Sequence, residues 1–237
     1  MKGIILAGGT GSRLMPLTKV TNKHLLPIGG KPMLQHCVDK LVGANVDEIM
    51  VVTGGEHIGH IAEFLGSGKD FDCNVTYRIQ DRAGGIAEAL GLARGFISKG
   101  ESMIVLLGDN VFEDELSDFV MFHELNGGAT LMLKEVDDPE RFGVAEIDGK
   151  NHVLSIEEKP DSPKSNMAVT GIYCYDDNVF DYIDGLTPSE RNELEITDVN
   201  NMYVKDGRVN FMKFNGWWTD AGTHESYAKA NELIRGK

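Results

Sequence analysis

The sequence predicts an α/β fold in which a mostly parallel central sheet is flanked by helices and joined to a second lobe with a mixed sheet. Three observations support this prediction. In the first half of the chain, short apolar runs alternate with segments whose apolar residues recur at helical spacing. In the second half, short strand-like runs follow one another with turns between them. The 237 residues show no linker, repeat or low-complexity tract, which favours one continuous domain over residues 1–237.

The first half is predicted to alternate between strands and helices. The apolar runs at 3–6 and 103–107 are typical of strands that are buried on both faces of a parallel sheet. Met33, Cys37 and Leu41 share one face at helical spacing, which predicts a helix. The strands predicted in this half are 3–6, 48–53, 74–79 and 103–107, and the helices are 32–42, 57–65 and 86–96.

The second half is predicted to contain a mixed sheet. The tetrapeptide Asp-Gly-Lys-Asn at 148–151 is typical of a hairpin turn. We expect Thr197 to cap a helix, with the acids Glu195 and Asp198 placed favourably near the helix dipole. The strands predicted here are 129–135, 144–147, 153–157 and 169–175, and the helices are 179–183, 198–205 and 224–234.

The charge balance argues against nucleic acid and membranes as partners. The chain has 23 Lys and Arg residues against 37 Asp and Glu residues, so its formal net charge is −14. Such a protein repels polyanions unless cations are concentrated locally. No apolar stretch approaches the ~18 residues that would span a bilayer. We therefore expect small-molecule partners.

The three cysteines indicate a reducing compartment. Cys37, Cys73 and Cys174 are far apart in sequence and form no CxxC pair. We expect reduced, buried thiols in a cytoplasmic protein.

A glycine-rich loop follows the first strand and contains Gly8, Gly9 and Gly11. Glycine lets backbone N–H groups approach a phosphate or a base without intervening side chains. Leu14 stands where a dinucleotide-binding fingerprint needs Gly or Ala, and the sequence has no P-loop motif. A tight turn would explain the glycines alone. Because the cations Arg13 and Lys23 follow closely in an acidic chain, polyphosphate binding explains the loop better.

Seven sequence blocks span nearly the whole chain: LAGGTGSRLMPLT, NKHLLPIGGKPM, LLGDN, EEKP, VTGIYCYD, ELEITDVN and WWTDAGTHES. This set resembles the signature of the sugar-1-phosphate nucleotidylyltransferases, and looks most like the glucose-1-phosphate thymidylyltransferase branch in a short form without a C-terminal extension. The resemblance implies the nucleotide-diphospho-sugar transferase fold, with a Rossmann-like sheet. It also implies a nucleotide-binding half at about 1–125 and a sugar-binding half at about 126–237.

The reaction implied by the resemblance is attack of glucose 1-phosphate on dTTP, giving dTDP-glucose for polysaccharide synthesis and pyrophosphate, with Mg²⁺ as cofactor. The second pKa of a sugar phosphate is about 6, so the attacking oxygen is already charged at neutral pH and needs no general base. The sequence, in agreement, shows no Ser-His-Asp or Cys-His set. Catalysis must then come from positioning and charge neutralisation.

Two aspartates match the metal positions of the family. Asp109 follows the apolar run 103–107 through one glycine, at the edge where parallel sheets bind ligands. Asp220 lies between Trp218 and Gly222, in a predicted turn. Mg²⁺ favours one or two carboxylates together with phosphate oxygens and waters, so we assign both residues to the metal. The alternatives are a turn cap and an Asx-turn residue.

Three cations match the phosphate-binding positions of the family. Arg13 is implied to stabilise the departing pyrophosphate, and Lys23 to bind the triphosphate. Lys159 resembles the lysine on the attacking sugar phosphate, and with Asp109 these residues form the expected catalytic set. The alternatives are solvated surface charge for Arg13 and Lys23, and a salt bridge to neighbouring glutamates for Lys159.

The resemblance also implies the positions that contact glucose and the base. The sugar-binding positions are Gly143, Glu158, Lys159 and Val169. Gln80 and Gly85, with Gly8 beside them, match the base-reading positions. A glutamine amide can donate one hydrogen bond and accept another, which suits the edge of thymine or uracil. The alternative is that Gln80 is an ordinary surface glutamine. Phe142 stands where close relatives often have tyrosine, and residues 83–89 depart from the usual motif.

Two other functions stay open at this level. A uridylyltransferase is one, because thymine and uracil present the same hydrogen-bonding edge. A non-catalytic nucleotide-sensing relative is the other, although the full set of matched cations and carboxylates argues against it. In longer relatives the C-terminal extension contributes to assembly and to an effector site. This sequence resembles a short form without that extension, so tetramer formation and feedback inhibition stay open, and a homo-oligomer is only an expectation.

Overall fold

The computed structural model describes residues 1–236 and has the predicted α/β fold with a largely parallel central sheet. The strands are β1 (Lys2–Ala7), β2 (Pro27–Ile28), β3 (Lys31–Pro32), β4 (Glu48–Gly54), β5 (Asn74–Gln80), β6 (Met103–Leu107), β7 (Asn110–Phe112), β8 (Ala129–Glu135), β9 (Gly143–Ile147), β10 (Val153–Glu158), β11 (Met167–Tyr175), β12 (Val209–Lys213) and β13 (Trp218–Asp220). The α-helices are α1 (Met33–Gly43), α2 (Ile58–Leu65), α3 (Ile86–Gly91), α4 (Ser117–Asn126), α5 (Val179–Asp184), α6 (Ile196–Lys205) and α7 (His224–Arg235).

The chain divides into two compact units. The first contains Met1–Ala83, Leu106–Ser117 and the chain from Asn215 onward, and the second contains Gly84–Val105 and Asp118–Phe214. Each unit is thus assembled from separate stretches of sequence. The nucleotide-binding and sugar-binding halves at about 1–125 and 126–237 stay a prediction.

The first unit is organised around parallel strands. β1 pairs with β4, and β4 pairs with β5, so their carboxyl ends Ala7, Gly54 and Gln80 lie at one edge of the sheet. The end of β6 lies beside β1, where the Gly108 N–H donates to the Leu6 carbonyl over 2.9 Å. This edge therefore gathers the glycine loop, Gln80 and the residues after β6. It is the edge at which open parallel sheets bind ligands.

A small apolar core fixes the segments around this edge. Its buried members are Leu14, Leu26, Ile28, Met33, Val111, Ala221 and Ala230. They come from the segment after the glycine loop, α1, β7, the residue after β13, and α7. Burial of apolar surface stabilises the folded state by about 25 cal/mol per Å². The burial of these side chains therefore holds in place the segments that also carry the polar side chains at this edge.

The second unit contains the mixed sheet. β11 is antiparallel to both β8 and β9, β9 forms a hairpin with β10, and β12 is parallel to β8. At the tip of the hairpin the Asp148 N–H donates to the His152 carbonyl over 2.9 Å, as the turn chemistry predicted. Helix α6 packs on β10, and the Asn201 side chain bonds both backbone groups of Ile156. This packing brings Thr197 of α6 close to Glu158, the last residue of β10.

The predicted strands and helices are present, most of them within two residues of the predicted bounds. The helix predicted at 86–96 is an exception, because α3 ends at Gly91. Tighter turns follow, with the Arg94 N–H donating to Gly91 and the Phe96 N–H donating to Ala93. Gly95 has a φ of 88°, which a continuing α-helix does not allow. The predicted end at 96 was wrong because the helical spacing of apolar residues continues beyond Gly91, where the α-helix ends.

The elements that the sequence did not predict are α4, β12 and the short strands β2, β3, β7 and β13. Helix α4 has a weak pattern for a physical reason. Its apolar Met121 and Leu125 are exposed while the polar His123 is fully buried and bonded to Thr130 over 2.9 Å. Strand β12 is only half-buried, so no continuous apolar run marks it.

The state of the three cysteines agrees with the prediction. Cys37, Cys73 and Cys174 are buried and free of disulfides, as expected. Among residues 1–236, no helix has both the length and the apolar character required to cross a membrane.

Candidate active site

The glycine loop after β1 encloses the side chain of Lys23. A Cβ at Gly11 would lie 2.8 Å from Lys23 Cβ and 2.8 Å from Thr18 Cγ2, and a Cβ at Gly9 would lie 3.0 Å from Lys23 Cε. Gly11 also has a φ of 69°, in the left-handed region. The Thr18 hydroxyl donates to the Gly11 carbonyl over 2.8 Å and holds the loop closed. Gly9 and Gly11 therefore leave room for the Lys23 side chain, which passes directly beside the loop backbone.

Lys23 forms an ion pair with Asp109. Its Nζ lies 2.5 Å from Asp109 Oδ2, and the two side chains are only 11% and 15% exposed. Burial alone would raise the pKa of Asp109. The ammonium of Lys23, then the neighbouring His24 and the hydrogen bonds from Lys23 and Asn110, lower that pKa well below its ordinary value. Asp109 is therefore ionised throughout the neutral range.

His24 supports the same corner of the sheet as a neutral side chain. It is fully buried, and this burial, together with the charge of Lys23, lowers its pKa to about 3 against the weaker opposing effect of Asp109. Its Nδ1 lies 2.7 Å from Asn22 Oδ1, so this nitrogen carries the proton. A Cβ at Gly108 would lie 2.8 Å from His24 Cδ2, which explains the glycine before Asp109. The sequence did not single out His24.

Three of the predicted site residues converge on Gly222. A Cβ at this glycine would lie 3.3 Å from Arg13 Nη2, 3.5 Å from Asp220 Oδ2 and 3.6 Å from Asp109 Oδ2. The structure therefore brings together one guanidinium and two carboxylates that are far apart in sequence. Gly222 itself is a position that the sequence did not mark as functional.

The turn predicted around Asp220 is wrong. Asp220 is the last residue of β13 and pairs with Asn110 of β7. The preceding Trp218 is buried, and its indole N–H donates to Asn110 Oδ1 over 2.7 Å, which fixes the strand. The Ala221 N–H donates to the Asp109 carbonyl over 2.8 Å. Strand pairing thus holds the two aspartates next to each other.

Gln80 lies at the same edge of the first unit as the glycine loop. It ends β5 opposite Gly54, and a Cβ at Gly8 would lie 2.8 Å from its Oε1. The amide and the first glycine of the loop are therefore adjacent, as the base-reading prediction requires. Gly85, the other predicted base-reading residue, belongs to the second unit. Its φ is 101°, and a Cβ there would collide with the Leu194 carbonyl oxygen, so close packing requires this glycine.

The predicted sugar-binding residues lie together in the second unit. Glu158 ends β10 opposite Gly143 of β9, and Val169 of β11 pairs with the same glycine. A Cβ at Gly143 would lie 3.4 Å from Glu158 Oε2. Lys159 follows in a left-handed conformation with a φ of 46°, and its Nζ lies 3.4 Å from Glu158 Oε1. The salt bridge considered as the alternative for Lys159 is therefore present.

Thr197 does not cap helix α6, so that prediction is wrong. The helix begins at Ile196, two residues before the predicted start at 198, its N-cap is Glu195, and no side chain caps it. The Thr197 hydroxyl instead donates to Glu158 Oε2 over 2.6 Å. The reason is tertiary, because α6 packs on β10 and turns this hydroxyl towards the carboxylate. Asp198 has its pKa raised, first by burial and then by Glu195 and Glu158.

Arg191 is a further residue that the sequence did not single out. Its Nη2 lies 3.5 Å from Glu158 Oε1 and 2.8 Å from Glu195 Oε2. Arg191 lies two residues before ELEITDVN, one of the blocks that carry the resemblance, but its contact with Glu158 was not predicted. The carboxylate of Glu158 therefore has a hydroxyl on one oxygen and two cations near the other.

The cations and carboxylates gathered in the first unit suit an α/β enzyme that transfers phosphate-containing groups. The chain belongs to the nucleotidyl transferase family, whose model matches residues 2–237, and it is an enzyme of this kind. Nucleotidyl transferases of this type generally use a divalent metal ion.

Individual relatives are similar over nearly the whole chain. Agl11, a low-salt glycan biosynthesis nucleotidyltransferase from Haloferax volcanii, is 39% identical over 236 residues, which cover 99% of this chain and 66% of the relative. A glucose-1-phosphate thymidylyltransferase from Neisseria meningitidis is 39% identical over 239 residues, which cover 99% of this chain and 83% of the relative. A crystal structure of a candidate glucose-1-phosphate thymidylyltransferase from Bacillus anthracis, in complex with sucrose, is 55% identical with a TM-score of 0.95 and covers 100% of this chain and 96% of that chain.

Proposed function

We propose that this enzyme transfers a deoxythymidylyl group from dTTP to glucose 1-phosphate, giving dTDP-glucose and pyrophosphate. The observation that carries the proposal is the convergence of Arg13, Asp109 and Asp220 on Gly222 in a member of the nucleotidyl transferase family. The choice of substrates is supported by relatives that carry the name glucose-1-phosphate thymidylyltransferase and match 99% of this chain.

The chemistry needs charge neutralisation rather than proton transfer. The dianionic oxygen of the sugar phosphate attacks the α-phosphorus in line, and the bond from that phosphorus to the bridging oxygen breaks to release pyrophosphate. Arg13 is exposed next to both carboxylates, so its guanidinium is available for the charge that develops on the leaving group. Lys23 lies within the glycine loop and binds the triphosphate. Lys159 binds the phosphate of the sugar.

Asp109 and Asp220 fit a magnesium ion. Two carboxylate oxygens that face one point are a donor set that Mg²⁺ takes from proteins, the other ligands being phosphate oxygens and waters. Residues 1–236 contain no group of three or more His, Cys, Asp or Glu side chains placed to hold a metal ion. A site with two carboxylates is within the range that Mg²⁺ uses. When bound, Mg²⁺ supplies positive charge to the triphosphate.

Base and sugar recognition rest on two side chains with fixed surroundings. The Gln80 amide lies beside Gly8, and it matches the donor and acceptor edge that thymine and uracil share. Glu158 is held by Thr197 and accepts hydrogen bonds from sugar hydroxyls. The buried free thiols fit a reducing compartment, which supports the cytoplasm as the location.

The test is to identify both products in one reaction. The enzyme is incubated with dTTP, glucose 1-phosphate and Mg²⁺, and the mixture is followed by ³¹P NMR and mass spectrometry. We expect equal amounts of pyrophosphate and dTDP-glucose, and we expect added pyrophosphate to regenerate dTTP from dTDP-glucose. A folded protein that forms neither product with any nucleoside triphosphate would contradict the proposal and favour a nucleotide sensor.

A further inference from the structure

Both carboxylate oxygens of Asp109 already accept hydrogen bonds from side chains. Oδ2 lies 2.5 Å from the Lys23 ammonium, and Oδ1 accepts from the Asn110 amide over 3.0 Å. A divalent cation bound to this carboxylate would lie only a few Å from the lysine charge. Repulsion between the metal ion and the Lys23 ammonium would be strong at such a distance, because the side chains of Lys23 and Asp109 are mostly shielded from water.

Lys23 is also restrained in its present position. Its stem runs past Gly9 and Gly11, where a Cβ would come within 3.0 Å of its carbons, and Thr18 ties that loop back on itself. The side chain is only 11% exposed. Solvent therefore offers the ammonium little compensation for leaving Asp109, and another anion is needed to draw it away.

We propose that Lys23 hinders metal binding at Asp109 in the protein without nucleotide, and that bound triphosphate removes this hindrance. Lys23 and the divalent cation compete for Asp109, and the phosphates relieve this competition when they bind the ammonium. Metal and nucleotide therefore bind with positive coupling, and the protein without nucleotide holds the metal weakly. This inference rests on the proposed function, since it takes Asp109 as a metal ligand and Lys23 as a triphosphate ligand. By linkage, the metal strengthens nucleotide binding by the same factor.

The test measures binding of Mn²⁺, as a paramagnetic substitute for Mg²⁺, to the full chain without nucleotide. Electron paramagnetic resonance reports the free Mn²⁺ concentration directly. Lys23→Gln removes the charge but keeps a hydrogen-bond donor, whereas Lys23→Arg keeps the charge. Lys40→Gln is the matched control, since Lys40 forms an ion pair of 2.7 Å with Glu115 and is only 18% exposed.

We expect Lys23→Gln to bind Mn²⁺ at least about tenfold more tightly than the wild type. Lys23→Arg and Lys40→Gln should bind it as weakly as the wild type. The double variant Lys23→Gln/Asp109→Asn should lose the gain, which assigns the gain to Asp109. An unchanged Mn²⁺ affinity in folded Lys23→Gln, or a gain that survives in the double variant, would overturn the proposal.

The two proposals fail separately. If the wild type forms dTDP-glucose but Lys23→Gln binds Mn²⁺ no better, only the competition between Lys23 and the metal is refuted. If Mn²⁺ affinity rises as expected but no nucleotide sugar is formed, the proposed reaction is refuted and the competition stands.

Discussion

Thr197 donates a hydrogen bond of 2.6 Å to Glu158 Oε2, and the two residues are 39 positions apart in the chain. One oxygen of the carboxylate is thereby fixed, while the other faces Lys159 and Arg191 at 3.4 Å and 3.5 Å. A carboxylate that is held before the ligand arrives loses little conformational freedom on binding. In the proposed function, Thr197 is therefore a positioning residue for the carboxylate that binds the sugar.

Thr197→Val should weaken the use of glucose 1-phosphate. Hydrogen bonds to charged groups contribute about 1.5–3 kcal/mol, and we expect the KM for glucose 1-phosphate to rise about tenfold while the KM for dTTP stays unchanged. Thr197→Ser keeps the hydroxyl and should behave as the wild type. Equal changes in both KM values, or a loss of activity in Thr197→Ser, would contradict this role.

Asp109→Asn and Asp220→Asn should each abolish metal-dependent turnover in a protein that stays folded. The amide cannot supply the negative charge that a divalent cation requires. Asp39→Asn is the control, because Asp39 forms an exposed ion pair with Lys31. Initial rates are measured over a range of Mg²⁺ concentrations, with circular dichroism as the folding check. A variant that keeps near wild-type kcat at saturating Mg²⁺ shows that its carboxylate is not a ligand.

Arg13→Ala should reduce kcat more than the KM for dTTP. Loss of one group that stabilises developing charge lowers kcat by roughly 10²–10³, and we expect that range here. Lys31→Ala, which removes an exposed cation from a hairpin of the same unit, should have no effect. Steady-state kinetics with dTTP as the varied substrate separate the two parameters. A change in KM alone would instead show equal binding of ground state and transition state.

His24 should make the protein less stable in mild acid. Its pKa is lowered to about 3 by burial and by Lys23, so on acidification the unfolded chain takes up this proton first. The free energy of unfolding should fall by about 1.4 kcal/mol per pH unit from pH 6.5 downward until the folded pKa is reached. Urea unfolding at pH 7.5, 6.0 and 5.0 measures this slope. His24→Asn, which keeps a donor for Asn22, should show a shallower slope, and parallel slopes would contradict the assignment.

The part of the fold that could be predicted depends on burial along a single element. β1, β4 and β6 are buried on both faces, so their apolar runs mark them. Helix α4 and strand β12 could not be predicted in this way. The polar His123 of α4 is buried with a hydrogen bond to Thr130 of β8. The sequence of α4 alone contains no sign of this partner.

The same distinction applies to the candidate site. Asp109 could be predicted because it follows an apolar strand after one glycine, and the glycine loop because of its composition. The contact of Thr197 with Glu158 depends on how α6 packs on β10, so capping rules assigned the hydroxyl to the wrong partner. The convergence on Gly222 depends on the pairing of β13 with β7, two strands too short to be recognised from three residues each.

Base selection tests the proposed thymidylyltransferase activity most directly. The measurement is kcat/KM for dTTP, UTP, CTP and GTP at fixed glucose 1-phosphate, in the wild type and in Gln80→Ala. We predict dTTP as the best substrate, UTP as usable but poorer by about 1 kcal/mol for the missing methyl group, and CTP and GTP as very poor. A mismatched amide costs about 1–3 kcal/mol, so Gln80→Ala should lose much of the discrimination against CTP. A preference of the wild type for UTP, CTP or GTP over dTTP would contradict the account.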